Sequence, residues 1–463
     1  MKKASQDIFE PEMPVVPSDW AVLPFEQAAD VISDKGKRMK QGSYLLAGKI
    51  PVIDQGQDPI GGYTDDEDMA FDDELPVILF GDHTRSLKYV DKRFAVGAEG
   101  VKILRPREGY VPKFFYYLLR SLEIPSRGYS RHFQFLRKFH LPLAPEEQQK
   151  RIVAEIEKQF SRLDEAVANL KRVKANLKRY KASVLKVAVE GKLTEDWRKQ
   201  HPDVEPAEKL LERIIAERRA EWSGKGTYRD QEASEYYDLP RLPPGWVWTT
   251  SLQVFKEVKD GTHDTPKYQE NGVPFITQKH IKPAGLIFSD FKLISEVDHE
   301  QFYRRSNPER GDILVSMIGV NRGQSCIVST DAIFSIKNVG LFKPNHFLTS
   351  SKFLQLYFSS LVGQKLILRS SKGGAQPFIG LTELRAWPLP LPPLKEQHWI
   401  VAEVERRLSV IDELEAAVEA NLTRADRLRQ SILSNAFAGK LVCANISQSG
   451  ERSADIQMAK SLE

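Results

Sequence analysis

Cysteine is nearly absent: the 463-residue chain holds two, Cys326 and Cys443. Two thiols cannot build a disulfide framework, and no Cys-x-x-Cys or His-Glu-x-x-His spacing offers a metal site. Long apolar runs are missing too. No window approaches the roughly 20 apolar residues of a membrane-spanning helix, so no membrane partner is expected. Met1 to Pro17 is polar and proline-rich and lacks the apolar core of a secretory signal, which makes the expected location cytoplasmic. Phosphate-cradling fingerprints are also lacking. Neither Gly-x-x-x-x-Gly-Lys-Ser/Thr nor Gly-x-Gly-x-x-Gly occurs, and Ser223-Gly224-Lys225-Gly226-Thr227 reads only as a flexible stretch. Charge of one sign is weak, at a net +4, so any recognition of a polyanion has to come from local patches.

What the chain does have is 41% hydrophobic residues, enough for real cores, and an internal repeat. Leu141-Pro142-Leu143-Ala144-Pro145 leads into one segment and Leu389-Pro390-Leu391-Pro392-Pro393 into another. The two align without a gap as far as Gly191-Lys192-Leu193 and Gly439-Lys440-Leu441. In the first copy, apolar residues recur at Ile152, Ile156, Phe160, Leu163, Val167, Leu170, Leu177 and Val184. In the second they recur at Val404, Leu408, Ile411, Val418, Leu422, Ala425 and Ile432. Steps of three, four and seven draw a narrow coiled-coil seam. Proline at the entry and glycine at the exit bound each helix. Each should run about 65–70 Å at 1.5 Å per residue, and the simplest cover for each seam is the other copy, running antiparallel.

The segments ahead of the helices repeat more weakly. Pro17 to Trp20 resembles Pro244 to Trp246, and Lys49 to Gln55 resembles Gly272 to Gln278. Short apolar runs, Pro76 to Phe80 and Asp312 to Ile318, read as strands, and Pro112 to Leu122 and Ser351 to Leu361 as helices. The expected fold is mixed α/β. Two globules in pseudo-twofold repeat are separated by two long antiparallel coiled-coil helices. The expected segments are an N-terminal extension over 1–16, a globule over 17–144, a helix over 145–197, a charged linker over 198–243 with a short helix from Ala207 to Trp222, a second globule over 244–392, a second helix over 393–443 and a disordered tail over 444–463.

This plan, with Leu389-Pro390-Leu391-Pro392-Pro393-Leu394-Lys395-Glu396-Gln397 leading a helix that Gly-Lys-Leu closes, resembles the specificity subunit of type I restriction-modification enzymes. Gly61-Gly62-Tyr63-Thr64, Phe80-Gly81-Asp82-His83-Thr84-Arg85 and Gly128-Tyr129-Ser130-Arg131-His132-Phe133 resemble its target-domain signatures. The first copy departs at Ala144 and Glu146. The resemblance, from Trp20 to about Val442, implies that each globule is a target recognition domain for one half of a split site in double-stranded DNA, and that the helices set the gap. It also implies partners: two methyltransferase (modification) subunits, which modify adenine, and restriction (translocase-nuclease) subunits. S-adenosylmethionine, ATP and Mg would serve those partners, with no cofactor and no metal in this chain.

The residues carry no catalytic constellation of their own. An amino-methyltransferase needs Asn/Asp-Pro-Pro-aromatic, but Pro243-Pro244 and Pro392-Pro393 lead into Gly245 and Leu394. Glu190-Gly191-Lys192 has the spacing of a nuclease Glu-x-Lys, yet the second copy reads Ala438-Gly439-Lys440, so a helix stop explains both. The acidic run Asp65-Asp66-Glu67-Asp68 with Asp72-Asp73-Glu74 reads as a solvated loop facing away from DNA, and Asp82-His83 as a strand-turn device or a DNA-facing loop. The chain is expected to be a non-catalytic, DNA-binding subunit. The competing reading is a coiled-coil scaffold whose globules bind protein.

Base readout needs Arg, Lys, Gln, Asn and His at groove edges, and phosphate contact needs cations and hydroxyls. The first globule offers a basic run, Lys35, Lys37, Arg38, Lys40 and Gln41. A second cluster is His83, Thr84, Arg85, Lys88 and Tyr89, and a third is Arg127, Tyr129, Arg131 and His132. The second globule offers Gln278, Lys279, His280 and Lys282; Asn321, Arg322 and Gln324; and Arg369, Ser370, Ser371, Lys372 and Gln376. Lys171, Arg172, Lys174, Lys178, Arg179 and Lys181 make the first helix basic, either to track phosphates or as a solvated face.

Overall fold

Strand Val77–Gly81 is apolar from Val77 to Phe80 and buried throughout. A strand covered on both faces has no polar side to alternate, and this one lies inside an antiparallel sheet ordered Ala29–Ile32, Val101–Pro106, Val77–Gly81, Leu87–Val90. A second sheet is ordered Arg38–Met39, Ala95–Gly97, Ile50–Ile53, Gly62–Thr64, with Ala95–Gly97 parallel to both its neighbours. Pro112 opens helix Pro112–Ser121, where a missing N–H costs nothing. Its Phe114, Phe115, Leu118 and Leu119 pack with Ile78, Phe80 and Leu104.

The computed structural model describes residues 9–97, 100–126, 128, 130–221, 239–369, 371–372 and 377–441. It divides into two units, Met1–Lys171 with Glu419–Glu463, and Arg172–Val418. The second unit repeats the first almost strand for strand. Its antiparallel sheet is ordered Phe255–Asp260, Val339–Pro344, Ile313–Ser316, Ser325–Ile327, and Ile313–Ser316 is again wholly buried. Its companion sheet is ordered Lys292–Ile294, Val273–Thr277, Ser335–Lys337, with the last two parallel. Cys326, on strand Ser325–Ile327, is buried among Ile276, Leu314 and Leu341, and burial pushes its thiol up to about 12.

Each globule is closed by a two-stranded ladder between its first and last strands. Ala21–Pro24 pairs with His140–Leu143, and Val247–Thr250 with Pro388–Leu391. The Leu-Pro-Leu repeats are therefore strands, and each hands the chain to a helix of 44 residues: Glu146–Val189 in one copy and Leu394–Phe437 in the other. The entry is pinned by a buried glutamine. Gln149 accepts from Val111 N (2.7 Å) and donates to Gly109 O and Ala144 O; Gln397 accepts from Ser350 N (2.9 Å) and donates to Pro392 O. The residue before it holds a tryptophan: Trp20 Nε1 donates to Gln148 Oε1 at 2.8 Å, and Trp246 Nε1 to Glu396 Oε2 at 2.9 Å. At the exits, Gly191 (φ 67°) and Gly439 (φ 71°) adopt the left-handed cap conformation. A Cβ on either would collide with a proline ring, Pro243 or Pro17. The helix-stop reading of Glu190-Gly191-Lys192 holds, and Lys192 merely pairs with Glu190.

Within each unit the helices run antiparallel. In the first, Ile152, Ile156 and Phe160 pack with Ile432, Leu433, Ala436 and Phe437, while Asp164 pairs with Arg429. In the second, Val184, Ala188 and Val189 pack with Ile400, Val401 and Val404, while Lys181 Nζ reaches Asp412 at 2.7 Å.

The segment read as a charged linker contributes to a core. Helix Ala207–Ala220 buries Ala207, Leu210 and Ile214 against Val254 and Phe255; three apolar residues on one helical face suffice, though charge dominates the composition. The tail over 444–463 lies outside the described residues, as do Cys443, Arg127, Tyr129, Ser370 and Gln376.

Candidate nucleic-acid interface

Three segments far apart in sequence meet at one place in the first unit. The turn after strand Ile50–Ile53 presents Gln55, whose carbonyl accepts from Thr84 Oγ1 (2.5 Å) and Ser86 Oγ (2.8 Å) and whose carboxamide oxygen accepts from His83 N (3.2 Å). The hairpin between Val77–Gly81 and Leu87–Val90 carries His83 and Arg85. Arg85 has φ 59° and donates to Ile124 O at 2.7 Å. The third segment joins through Asp82: its carbonyl accepts from His132 N at 2.8 Å, and its Oδ1 accepts from Phe133 N, also at 2.8 Å. Asp82 is buried and acts as the strand-turn device, not as a free acid.

The second unit builds the same junction from other residues. Gln278 follows strand Val273–Thr277 as Gln55 follows Ile50–Ile53. The hairpin between Ile313–Ser316 and Ser325–Ile327 carries Asn321, Arg322 and Gln324, and Arg322 Nε donates to Ser371 Oγ at 3.1 Å. The segment around Lys372 and Phe378 closes the third side, with Ile379 N donating to Met317 O at 2.9 Å.

The junctions gather His83, Arg85, Arg131 and His132 in one globule, and Gln278, Asn321, Arg322, Gln324 and Lys372 in the other. Arg38, whose guanidinium donates to Val101 O at 3.0 Å, borders the first. Lys40 and Arg369 are exposed with no ion pair among the described residues, and Lys282 lies on its own short strand. His132 and His280 were read as contact residues, but both side chains are buried. His132 Nδ1 lies 2.9 Å from Asp82 O, and His280 Nδ1 accepts from Thr277 N at 2.9 Å. They hold the loops that carry Arg131 and Lys279.

Many of the cations are already paired. Lys35 and Lys37 share Asp72, Arg38 takes Asp34, Lys279 takes Asp290 and Lys372 takes Glu383. The acidic run thus neutralises the basic run, and Asp72 is held below the usual carboxylate range by its two lysines. A pair as exposed as Lys279–Asp290 is worth about 0–1 kcal/mol, so that lysine is free to change partners. Lys88 differs: it and Asp54 are only 10% and 11% exposed, and desolvation lowers the lysine's pKa. Gln55, the hub of the first junction, is absent from the residues read out of the sequence, although its alignment with Gln278 was the signal that could have found it.

Residues 251–424, which include the whole second junction, match the family described as type I restriction modification DNA specificity domain. The second globule is thus similar to such a specificity domain. The relatives extend the likeness beyond it. The EcoBI specificity subunit of Escherichia coli is 26% identical over 409 residues, covering 86% of this chain and 78% of that one. The EcoDI specificity subunit of Escherichia coli is also 26% identical, over 345 residues, covering 71% and 70%. A solved chain from a type I R-M system is 18% identical, with a TM-score of 0.59 over 92% of this chain and 99% of that one, and so shares the fold. Among the described residues, no helix is long and apolar enough to cross a membrane, and no three His, Cys, Asp or Glu side chains gather as metal ligands.

Proposed function

We propose that the chain is the DNA-recognition subunit of a type I restriction-modification complex, each globule reading one half of a split target at its three-segment junction. The observation that carries this is the repetition of the junction on one frame with different polar residues: Gln55, His83, Arg85 and Arg131 in one globule, Gln278, Asn321, Arg322 and Lys372 in the other. A bipartite reader needs similar frames and divergent reading groups, whereas a scaffold gains nothing from the divergence. On this reading, sequence is read by the polar side chains, while Lys40, Lys279 and Arg369 engage phosphates without discriminating between bases. The two long helices set the distance between half-sites and dock two methyltransferase subunits. Restriction subunits complete the assembly. S-adenosylmethionine, ATP and Mg2+ act in those partners, and this chain supplies recognition without catalysis.

The test is to replace residues 246–392 with the matching domain of a relative and sequence the methylated adenines in cells carrying the partner methyltransferase. One half of the recognised motif should change and the other persist. A change in both halves, or in neither, would overturn independent reading.

A further inference from the structure

The two junctions also differ in how they are filled. The first is filled: Gln55 uses its carboxamide oxygen on His83 N, and the Thr84 and Ser86 hydroxyls close over its carbonyl. The second is open. A cavity of about 520 Å3 lies between Gln278, Met317, Ile318, Gly319, Phe378, Ile379 and the Asp260–His263 pair, a size that suits a small flat ligand.

The hydrogen-bonding groups on its wall are largely committed. Asp260 receives Arg305 at 2.8 Å and His263 Nε2 at 3.1 Å, and His263 Nδ1 lies 2.7 Å from Asn338 Oδ1. With its carboxylate and imidazole mutually engaged, the wall offers no free acid or base among the described residues. The exception is Gln278, whose Oε1 is buried and accepts no hydrogen bond among the described residues. A buried acceptor facing a cavity is satisfied by a donor that enters it, whether water or a ligand that displaces the water. On the same wall, Phe378 is 44% exposed and presents ring surface on which a flat group can stack.

A neutral, planar group bearing an amino donor fits this lining, and an unstacked adenine is such a group. Its amino N–H would donate to Gln278 Oε1, the Gln278 amide would donate to a ring nitrogen, and Phe378 would take the π-face. We propose that the second globule holds an unpaired adenine in this cavity, so that it binds DNA more tightly where a base has already left the stack. The proposal rests on the DNA-reading function above, and it adds a base-sized subsite to the second globule.

The probes are three duplexes of one sequence: fully paired, with a single unpaired adenine, and with a single unpaired thymine, whose ring carries no amino group. Affinities for the full-length chain are measured by fluorescence anisotropy. The unpaired-adenine duplex should bind at least about tenfold tighter than the paired one, since the unstacking is already done, and the unpaired-thymine duplex should gain much less. In Gln278→Leu the adenine-to-paired ratio should fall towards one. In Phe378→Ala, a change at a half-exposed position, both bulged duplexes should lose their advantage. Equal affinity of the wild-type chain for paired and unpaired-adenine duplexes would overturn the subsite while leaving DNA reading intact. So would a preference that survives both substitutions. Failure to bind any duplex would overturn the reading of the globules themselves.

Discussion

Glu396 and Gln148 occupy the same place in the repeat, each accepting from a tryptophan indole, yet one carries a charge and the other does not. The difference follows from what comes next in the chain. After the first Gly-Lys-Leu exit, the short helix Glu195–Gln200 brings Arg198, whose Nη1 meets Glu396 Oε1 at 2.6 Å, with Glu396 fully buried. Gln148 has no arginine and uses its amide on Asp19 Oδ2 at 2.6 Å. Removing one member of a buried pair leaves an uncompensated charge and costs about 3–5 kcal/mol, so Arg198→Ala should lower the urea midpoint sharply. Adding Glu396→Gln should restore most of the loss, because the first globule already works with that pairing. A double variant as unstable as Arg198→Ala alone would contradict this account. His280 gives a second prediction at this scale. Desolvation lowers its pKa, opposed by the backbone at Thr277 and Asp290, with Lys279 lowering it further and the Asp290 charge raising it. The unfolded chain therefore takes up the proton first. Stability from the neutral ring is whole above the ordinary histidine value of about 6.5 and is lost as pH falls below it, by at most about 1.4 kcal/mol per pH unit. Chemical denaturation between pH 7.5 and 5 should show that slope shrinking in His280→Gln.

The long helices are the elements the sequence disclosed best. A seam of apolar residues in steps of three and four has one structural solution, and its Pro entries and Gly exits sit at the ends of the observed helices. The proposed spacing role predicts what length changes do. A single residue inserted beside Asn176 turns the following seam by about 100° and should damage folding or subunit docking. A heptad inserted there, matched by one beside Ala417, keeps the seam in phase and adds about 10 Å. The methylated motif should then keep both half-sites with a gap longer by about three base pairs at 3.4 Å each. An unchanged gap in an active complex would exclude the helices as the ruler. The globules were less legible. The apolar runs announced strands Val77–Gly81 and Ile313–Ser316, but nothing in local periodicity says that Asp82 will meet Phe133, or that Arg322 will meet Ser371. Those pairings come from the sheet order, which is non-local.

Over the whole molecule, the sequence misled most about charge. Clusters of lysine and arginine look like free positive patches until folding brings Asp72, Asp34, Asp290 and Glu383 beside them. The net +4 was the better guide. The scarcity of cysteine has a use beyond what it excludes. In a Cys443→Ser background, Cys326 is the sole thiol, buried on the last strand of its sheet in the second unit with its ionisation suppressed. A thiol-specific reagent added to the native chain can modify it only when that sheet opens, so its labelling rate becomes a clock for one unit alone. The rate should fall far below that of a free thiol and rise steeply with urea, as expected for a large cooperative opening and not for local fraying. Fast labelling that ignores urea would mean that strand Ser325–Ile327 detaches by itself. Comparing that clock with an optical signal from the entire chain would then tell whether the two halves of the repeat melt as one body or as two.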